Sequence, residues 1–235
     1  MKDLENFVQS VAEHFNEKLG AILVEAYKLG SLAHGGFSDI YSDIDVGLVL
    51  SCSEPPPRMS ELIADAKGLH SEYGKKLSMF WGNPEFGWGR LPVIDRLDLL
   101  DHGVALLHGI KPSLRRPSKD EIHQEQLQSI ERSWNSRLPE LSRLTSLGPK
   151  DRKPYIRAIL YAARLIYTWD NLVVGSNDSA VEYLHRVRPD GLDLQPIDMA
   201  LACRNGNAEA EDVLRLGADL NRQCESAMRY ILGHP

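Results

Sequence analysis

Leu4, Phe7, Val8, Val11, Phe15 and Leu19 recur three or four residues apart, the spacing that gathers apolar side chains on one face of a helix. Gly20 follows where such a helix needs a left-handed residue to end on. The pattern then changes. Ala21–Leu29 and Asp43–Leu50 are rich in apolar and β-branched residues and each predicts a strand. Ser53-Glu54-Pro55-Pro56-Pro57 breaks the chain, after which Met59, Leu62, Ile63, Ala66, Leu69 and Tyr73 return to helical spacing as far as Gly74. Lys76–Trp81 predicts a third strand, Asn83–Arg90 an irregular Gly- and aromatic-rich segment, Pro92–Asp101 a short helix, and Gly103–His108 a fourth strand.

Gly109–Ser118 is a basic, proline-bearing connector, and beyond it every apolar repeat has helical period. Helices are predicted over Ile122–Leu144, Tyr155–Val174, Ala180–Val187, Pro196–Cys203 and Ala208–Leu232. The expected fold class is α+β: a domain over 1–112 with a small mixed sheet and flanking helices, then an all-helical bundle domain over 113–235.

Hydrophobic residues make up 43% of the 235 and charged ones 26%, enough apolar surface to build real cores. The formal charge of −6 argues against nucleic acid or an acidic membrane as a general partner. Cys52, Cys203 and Cys224 are far apart and in no CxxC spacing, so neither a disulfide framework nor a cysteine zinc site is expected and a reducing cytoplasm fits best. The N-terminus is too acidic for a targeting peptide, and no run reaches the about 18 apolar residues of a membrane span.

The chemistry concentrates in Gly30-Ser31 and Asp43-Ile44-Asp45. On a strand, residues i and i+2 share a face, so Asp43 and Asp45 are expected to project together while Ile44 packs inward. Two neighbouring carboxylates repel unless a cation lies between them. Mg²⁺ suits this pair, because it takes a few carboxylate and phosphate oxygens and keeps the rest of its shell as water. Gly30 lets backbone approach a ligand closely and Ser31 adds a hydroxyl, a combination suited to a triphosphate. An Asp-x-Asp pair alone fits turn chemistry equally well; the Gly-Ser turn on the preceding strand favours the catalytic reading.

Gly30-Ser31, eleven intervening residues, Asp43-Ile44-Asp45 and an apolar run together resemble the signature of the DNA polymerase β-type nucleotidyltransferase superfamily. The resemblance implies that Asp43 and Asp45 are catalytic and ligate Mg²⁺ with the nucleotide, and that Gly30, Ser31 and the adjoining Ser42 bind it. In the second half, Arg157–Trp169, Val174–Val181 and Ala200–Arg204 resemble the helical domain of streptomycin and spectinomycin adenylyltransferases. That resemblance implies AMP transfer from ATP to a hydroxyl of a small-molecule acceptor, an aminoglycoside being one candidate. It also implies an acceptor pocket between the domains, with Trp169, Asp170 and Asp178 as its contacts; helix capping by Asp178 and core packing by Trp169 are the structural alternatives.

One part of the family pattern is missing. These enzymes carry a third carboxylate on the next strand, as general base or further metal ligand, whereas here Ser78 or Phe80 stands in that place and the nearest acid is Glu85 in the following loop. Glu85 is the candidate base. The gap keeps open a degenerate nucleotidyltransferase that binds nucleotide, or a protein, as a sensor or regulator. His34 within the Gly-Ser loop fits either a phosphate donor or a turn cap, and the other histidines have no zinc spacing. Phe80, Trp81, Phe86 and Trp88 are candidates for stacking on a base or for core packing, and Arg115, Arg116 and Lys119 for phosphate contact or a solvated linker. An RNA-directed nucleotide-adding enzyme would need a basic groove that this acidic chain does not announce.

Overall fold

A computed structural model describes residues 2–85, 88–111 and 114–233. Packing divides the chain into two compact units, one of Met1–Gly35 with Ser42–Pro117, the other of Gly36–Tyr41 with Ser118–Pro235. The predicted boundary at 112/113 and the aromatic Phe86 lie outside the described residues.

In the first unit, α1 (Lys2–Leu19) buries the predicted stripe together with Ala12. A 3₁₀ turn over Gly20–Ile22 replaces the start of the predicted strand, and β1 runs Leu23–Leu29. A single helical turn, α2 (Ser31–His34), follows it, and β2 runs Ile44–Leu50 with Ile44, Val46, Leu48, Val49 and Leu50 all buried. The predicted helix to Tyr73 is two pieces, α3 (Met59–Gly68) and α4 (Tyr73–Lys76). The ring nitrogen Nδ1 of His70 accepts from the backbone N–H groups of Glu72 and Tyr73 at 3.3 Å each, capping the second piece separately.

The sheet is completed by β3 (Leu77–Gly82), β4 (Gly89–Arg90) and β5 (Val104–Ala105), with α5 (Val93–His102) before the last. Among the described residues the order is β4-β3-β2-β1-β5, and only the β2–β3 pairing is parallel. β4 lies inside the segment predicted to be irregular. β5 is far shorter than the predicted Gly103–His108, for a specific reason. Glu25, fully buried on β1, turns its carboxylate onto the chain after β5: Oε1 accepts from Leu107 N–H at 2.9 Å, and Oε2 from His108 N–H at 2.9 Å and Ile110 N–H at 3.1 Å. A side chain thereby takes the donors that a longer ladder would have used.

The second unit is all-helical. α6 (Lys119–Ser129) starts on a capping box between Ser118 and Glu121. A π-helical segment over Ile130–Trp134 and α7 (Asn135–Leu141) then take the place of one continuous helix. Pro139 lies within α7, where it removes the N–H that would bond back to residue 135, at the junction with the π segment. α8 (Pro149–Asn171) is the central element and touches every other helix of this unit. It begins a turn and a half before the predicted Tyr155, because Lys150-Asp151-Arg152-Lys153 has no apolar position to reveal a helix.

α9 (Asn177–Val187) and α10 (Leu194–Arg204) follow. The predicted helix over Ala208–Leu232 is two, α11 (Ala210–Arg215) and α12 (Leu220–Gly233), separated where Gly217 takes φ +62°. One continuous core fills this unit, and Tyr41 is part of it. Among the described residues no helix is long and apolar enough to cross a membrane.

Candidate active site

Strand alternation puts Asp45 on the same face of β2 as Gly47 and Val49, the face covered by Tyr27, Leu29 and Leu99, while Ile44 points the other way and is completely buried. Asp43 stands one residue ahead of the strand, and both aspartates are half-buried. Across the ladder, Asp45 pairs with Leu29 at the end of β1. Gly30 therefore comes directly against it: a Cβ on Gly30 would lie 2.3 Å from Asp45 Oδ2. Gly30 also has φ +60° and ψ −149°, a conformation that glycine alone adopts without strain.

The turn is fixed by two further contacts. The Gly30 N–H donates to Asp98 Oδ2 on α5 at 2.7 Å, and the Ser31 hydroxyl donates to Ser42 Oγ at 2.9 Å. The Gly30 carbonyl accepts from the N–H groups of Ala33 and His34, forming α2. The turn and the start of β2 thus meet in two pairs, Gly30 against Asp45 and Ser31 against Ser42, with Asp43 next to Ser42 in the chain. His34 is half-buried and packs its ring edge-to-face on His102 at 5.5 Å.

Asp98 was not among the sequence candidates. It is only 6% exposed and its Oδ1 has no hydrogen-bond partner. The signal for it was an acid within the apolar run Leu97-Asp98-Leu99-Leu100, at a helix position that should have been hydrophobic. Glu25 is the same kind of residue, an acid between Val24 and Ala26. Its buried position pushes the carboxyl up, but the N–H groups of His108, Ala26, Leu107 and Ile110 outweigh burial and hold it below the usual carboxylate range.

The other expected residues lie apart from this group. Ser78 is the residue paired with Asp45 on β3 and Phe80 the one paired with Gly47, so neither of these positions offers an acid to the site. Glu85 is exposed, in the turn after β3. Among the described residues no three His, Cys, Asp or Glu side chains are grouped as metal ligands. Two carboxylates beside a glycine turn and two hydroxyls still suit a hard cation that draws the rest of its shell from water and phosphate. Of the cations in the connector, Arg116 is engaged by both oxygens of Asp101, at 2.5 and 3.0 Å. Phe80, Trp81 and Trp88 are half-buried.

Trp169, Asp170 and Asp178 belong to the helical unit. Trp169 is a core residue, 6% exposed, stacked on His123 with ring centres 3.6 Å apart. Asp170 Oδ2 accepts from the hydroxyls of Tyr183 and Tyr230 at 2.8 Å each. Asp178 is exposed and its Oδ1 accepts from Asn205 at 3.0 Å. The cap of α9 is Ser176, whose hydroxyl accepts from Ser179 N–H at 3.1 Å, so Asp178 does not have that task.

No protein-family profile matches the chain, and no curated protein matches it by sequence. Among solved structures, the fold is similar to that of spectinomycin adenyltransferase AAD(9) from Enterococcus faecialis, determined with ATP and spectinomycin. The TM-score is 0.62, with 16% identity over 95% of this chain and 99% of that one. The fold is nucleotidyltransferase-like. At this identity the likeness concerns architecture, a mixed sheet followed by a helical region along almost the whole chain.

Proposed function

We propose that the protein is a nucleotidyltransferase that moves AMP from ATP to a hydroxyl of a small-molecule acceptor with Mg²⁺. The observation that carries this reading is the seating of Asp45, at the mouth of β2, directly against Gly30 of the turn that ends β1. A half-buried carboxylate beside a second one, next to a turn without a side chain, is an arrangement that a bound cation and polyphosphate would stabilise. The fold likeness to an ATP-bound adenyltransferase supports the same choice.

Asp43 and Asp45 are the residues that would hold Mg²⁺, which when bound offsets negative charge along the polyphosphate. The Gly30 N–H is committed to Asp98, and the Ser31 and Ser42 hydroxyls, which are bonded to each other, are assigned to the phosphate side of the turn. In the reaction, the acceptor hydroxyl attacks the α-phosphorus in line, the bond to the bridging oxygen breaks, and pyrophosphate leaves. Glu85 is the carboxylate assigned to take the hydroxyl proton. On the helical unit, Asp178 is the exposed member of the acceptor trio and is assigned the first contact with an acceptor; Asp170, held by the Tyr183 and Tyr230 hydroxyls, is assigned a second, and Trp169 contributes by supporting α8.

Calorimetry with Mg-ATP and a pyrophosphate-release assay over a panel of hydroxylated acceptors, aminoglycosides included, tests this. The wild type is expected to bind Mg-ATP, and Asp43→Ala to lose that heat without losing its melting transition. Absence of binding to every common ribonucleoside triphosphate overturns the proposal. Tight binding without pyrophosphate release under any acceptor favours the regulator instead.

A further inference from the structure

A cavity of about 700 Å³ in the helical unit lies between α12 and the chain that connects α9 to α10. Arg222 and Arg229 line it from α12, seven residues apart and so on one face of that helix, and Arg188 lines it from the connection. Asp190 is the single acid among the described lining residues. Two of the arginines are held in place. Arg188 is the residue on which α9 ends, at φ +44° and ψ +68°, a left-handed geometry that helix ends ordinarily give to glycine. Its N–H donates to the Leu184 carbonyl at 2.8 Å and its Nε to the His185 carbonyl at 3.2 Å. Gly191, at φ +75°, sits directly on α12: a Cβ there would lie 3.1 Å from Ser226 Oγ and 3.2 Å from Arg229 Nη2. That Nη2 donates to the fully buried Ser226 hydroxyl at 3.1 Å, so the missing side chain at 191 leaves room for Arg229 beneath the connection.

These bonds fix a guanidinium without neutralising it, because each uses a single N–H and goes to an uncharged oxygen. Among the described residues none of the three arginines takes part in an ion pair. The acids around the cavity are engaged elsewhere or stand outside it. Asp193 Oδ1 accepts from the Gln195 N–H at 3.1 Å, Asp219 Oδ1 from the backbone N–H of Arg222 at 3.0 Å, and Asp198 is paired with His185 at 2.7 Å. Glu225 is exposed on α12 and is not part of the lining. Three cations facing one carboxylate are relieved by a multivalent anion, and the planar forks of arginine match phosphate oxygens in pairs. Arginines held before the ligand arrives lose less freedom on binding it. The volume is that of a small-molecule site. Buried Pro189 and the ring of Tyr230, whose hydroxyl donates to Asp170 Oδ2 at 2.8 Å, offer a wall for the non-phosphate part of a ligand.

We propose that the cavity between α12 and the α9–α10 connection binds a small molecule carrying two or more phosphate groups, with Arg188, Arg222 and Arg229 as its contacts. The inference stands on the helical unit alone and does not depend on the nucleotide chemistry proposed for β1 and β2.

The test is calorimetry of the full chain with inorganic tripolyphosphate in the absence of Mg²⁺, repeated in an Asp45→Asn background to keep the candidate active site out of the measurement. Binding is expected in both backgrounds, weakening as salt is raised. It should fall by about tenfold or more in Arg188→Gly and in Arg222→Gln, each of which removes one guanidinium contact. Arg188→Gly also relieves the left-handed backbone, so it should melt at or above the wild-type temperature while binding more weakly. That combination separates a lost contact from a damaged fold. No heat with tripolyphosphate, wild-type affinity in both arginine variants, or loss of binding in Asp45→Asn alone would each overturn the proposal. Citrate binding as tightly as tripolyphosphate would overturn the phosphate class, and tighter binding of a single-stranded oligonucleotide would overturn the small-molecule class in favour of nucleic acid.

Discussion

Replacing Gly30 by alanine separates two effects at one position. The first is backbone strain. At φ +60° and ψ −149° a residue with a Cβ costs about 1–3 kcal/mol. At about 4 °C per kcal/mol for a unit of this size, melting of the sheet unit is expected to fall by roughly 4–12 °C. The second is a collision. The new carbon would stand 2.3 Å from Asp45 Oδ2, and ordinary contact requires the carboxylate oxygen to retreat by about 1 Å. A displacement of that size at a reacting centre costs about a hundredfold in rate. Gly35→Ala is the control, since Gly35 also has positive φ, +94°, yet a Cβ there meets nothing within 4 Å. The assay is Mg-ATP calorimetry beside pyrophosphate release, with melting curves for both variants. Both should lose stability, but only Gly30→Ala should lose nucleotide affinity and rate beyond what that loss explains. Equal nucleotide affinity in the two variants refutes the idea that Gly30 sets the position of Asp45.

Two further predictions concern groups outside the site. Glu25→Gln leaves one carbonyl oxygen where two carboxylate oxygens accept from four N–H groups, and turns an NH₂ toward the others. Urea unfolding of the sheet unit should lose about 2–4 kcal/mol. Because the folded carboxyl is held below its ordinary range, its contribution is complete above that range and lost as pH falls through the folded value; Glu25→Gln should remove this portion of the acid sensitivity. The thiols should differ in reactivity with a disulfide reagent at pH 8. Burial pushes Cys224 up to about 11 and also raises Cys203, whose sulfur lies 3.0 Å from the Tyr41 hydroxyl, so half-buried Cys52 should react first and the other two only on unfolding. Rapid reaction of all three in the folded protein contradicts that burial.

The sequence pattern reached those features whose physics is local. α1 and α9 each bury one periodic set of apolar residues and β1 and β2 are short apolar runs buried almost throughout, so their existence and type follow from local pattern and composition. The contact of Gly30 and Ser31 with Asp45 and Ser42 was accessible for the same reason, because an antiparallel pair returns the chain to the turn it has just left. Features decided by distant residues escaped. β5 stops after two residues because of Glu25, about eighty positions earlier. The first turns of α8 are polar on every side, and Gly36–Tyr41 joins the helical unit through Tyr41, which no periodicity within six residues announces.

Buried acids in this protein do two different tasks, and the difference bears on the missing third carboxylate. Glu25 and Asp98 face backbone N–H groups, the first closing the chain after β5 and the second holding the Gly30 amide. Each replaces a hydrogen-bond partner that the fold does not otherwise supply, so removing either leaves donors unpaired. Asp43 and Asp45 instead stand half-buried at the open end of β2. Asp98 restrains the same glycine whose lack of a side chain makes room for Asp45, which makes it a positioning residue for the proposed reaction. Asp98→Asn preserves shape while offering either a carbonyl or an NH₂ to the Gly30 N–H. If its carbonyl takes the bond, nucleotide affinity persists; Asp98→Ala frees the turn and should weaken it. An Asp98→Ala protein with wild-type affinity for Mg-ATP would show that the turn holds its shape through the Ser31–Ser42 bond and the β1–β2 ladder alone.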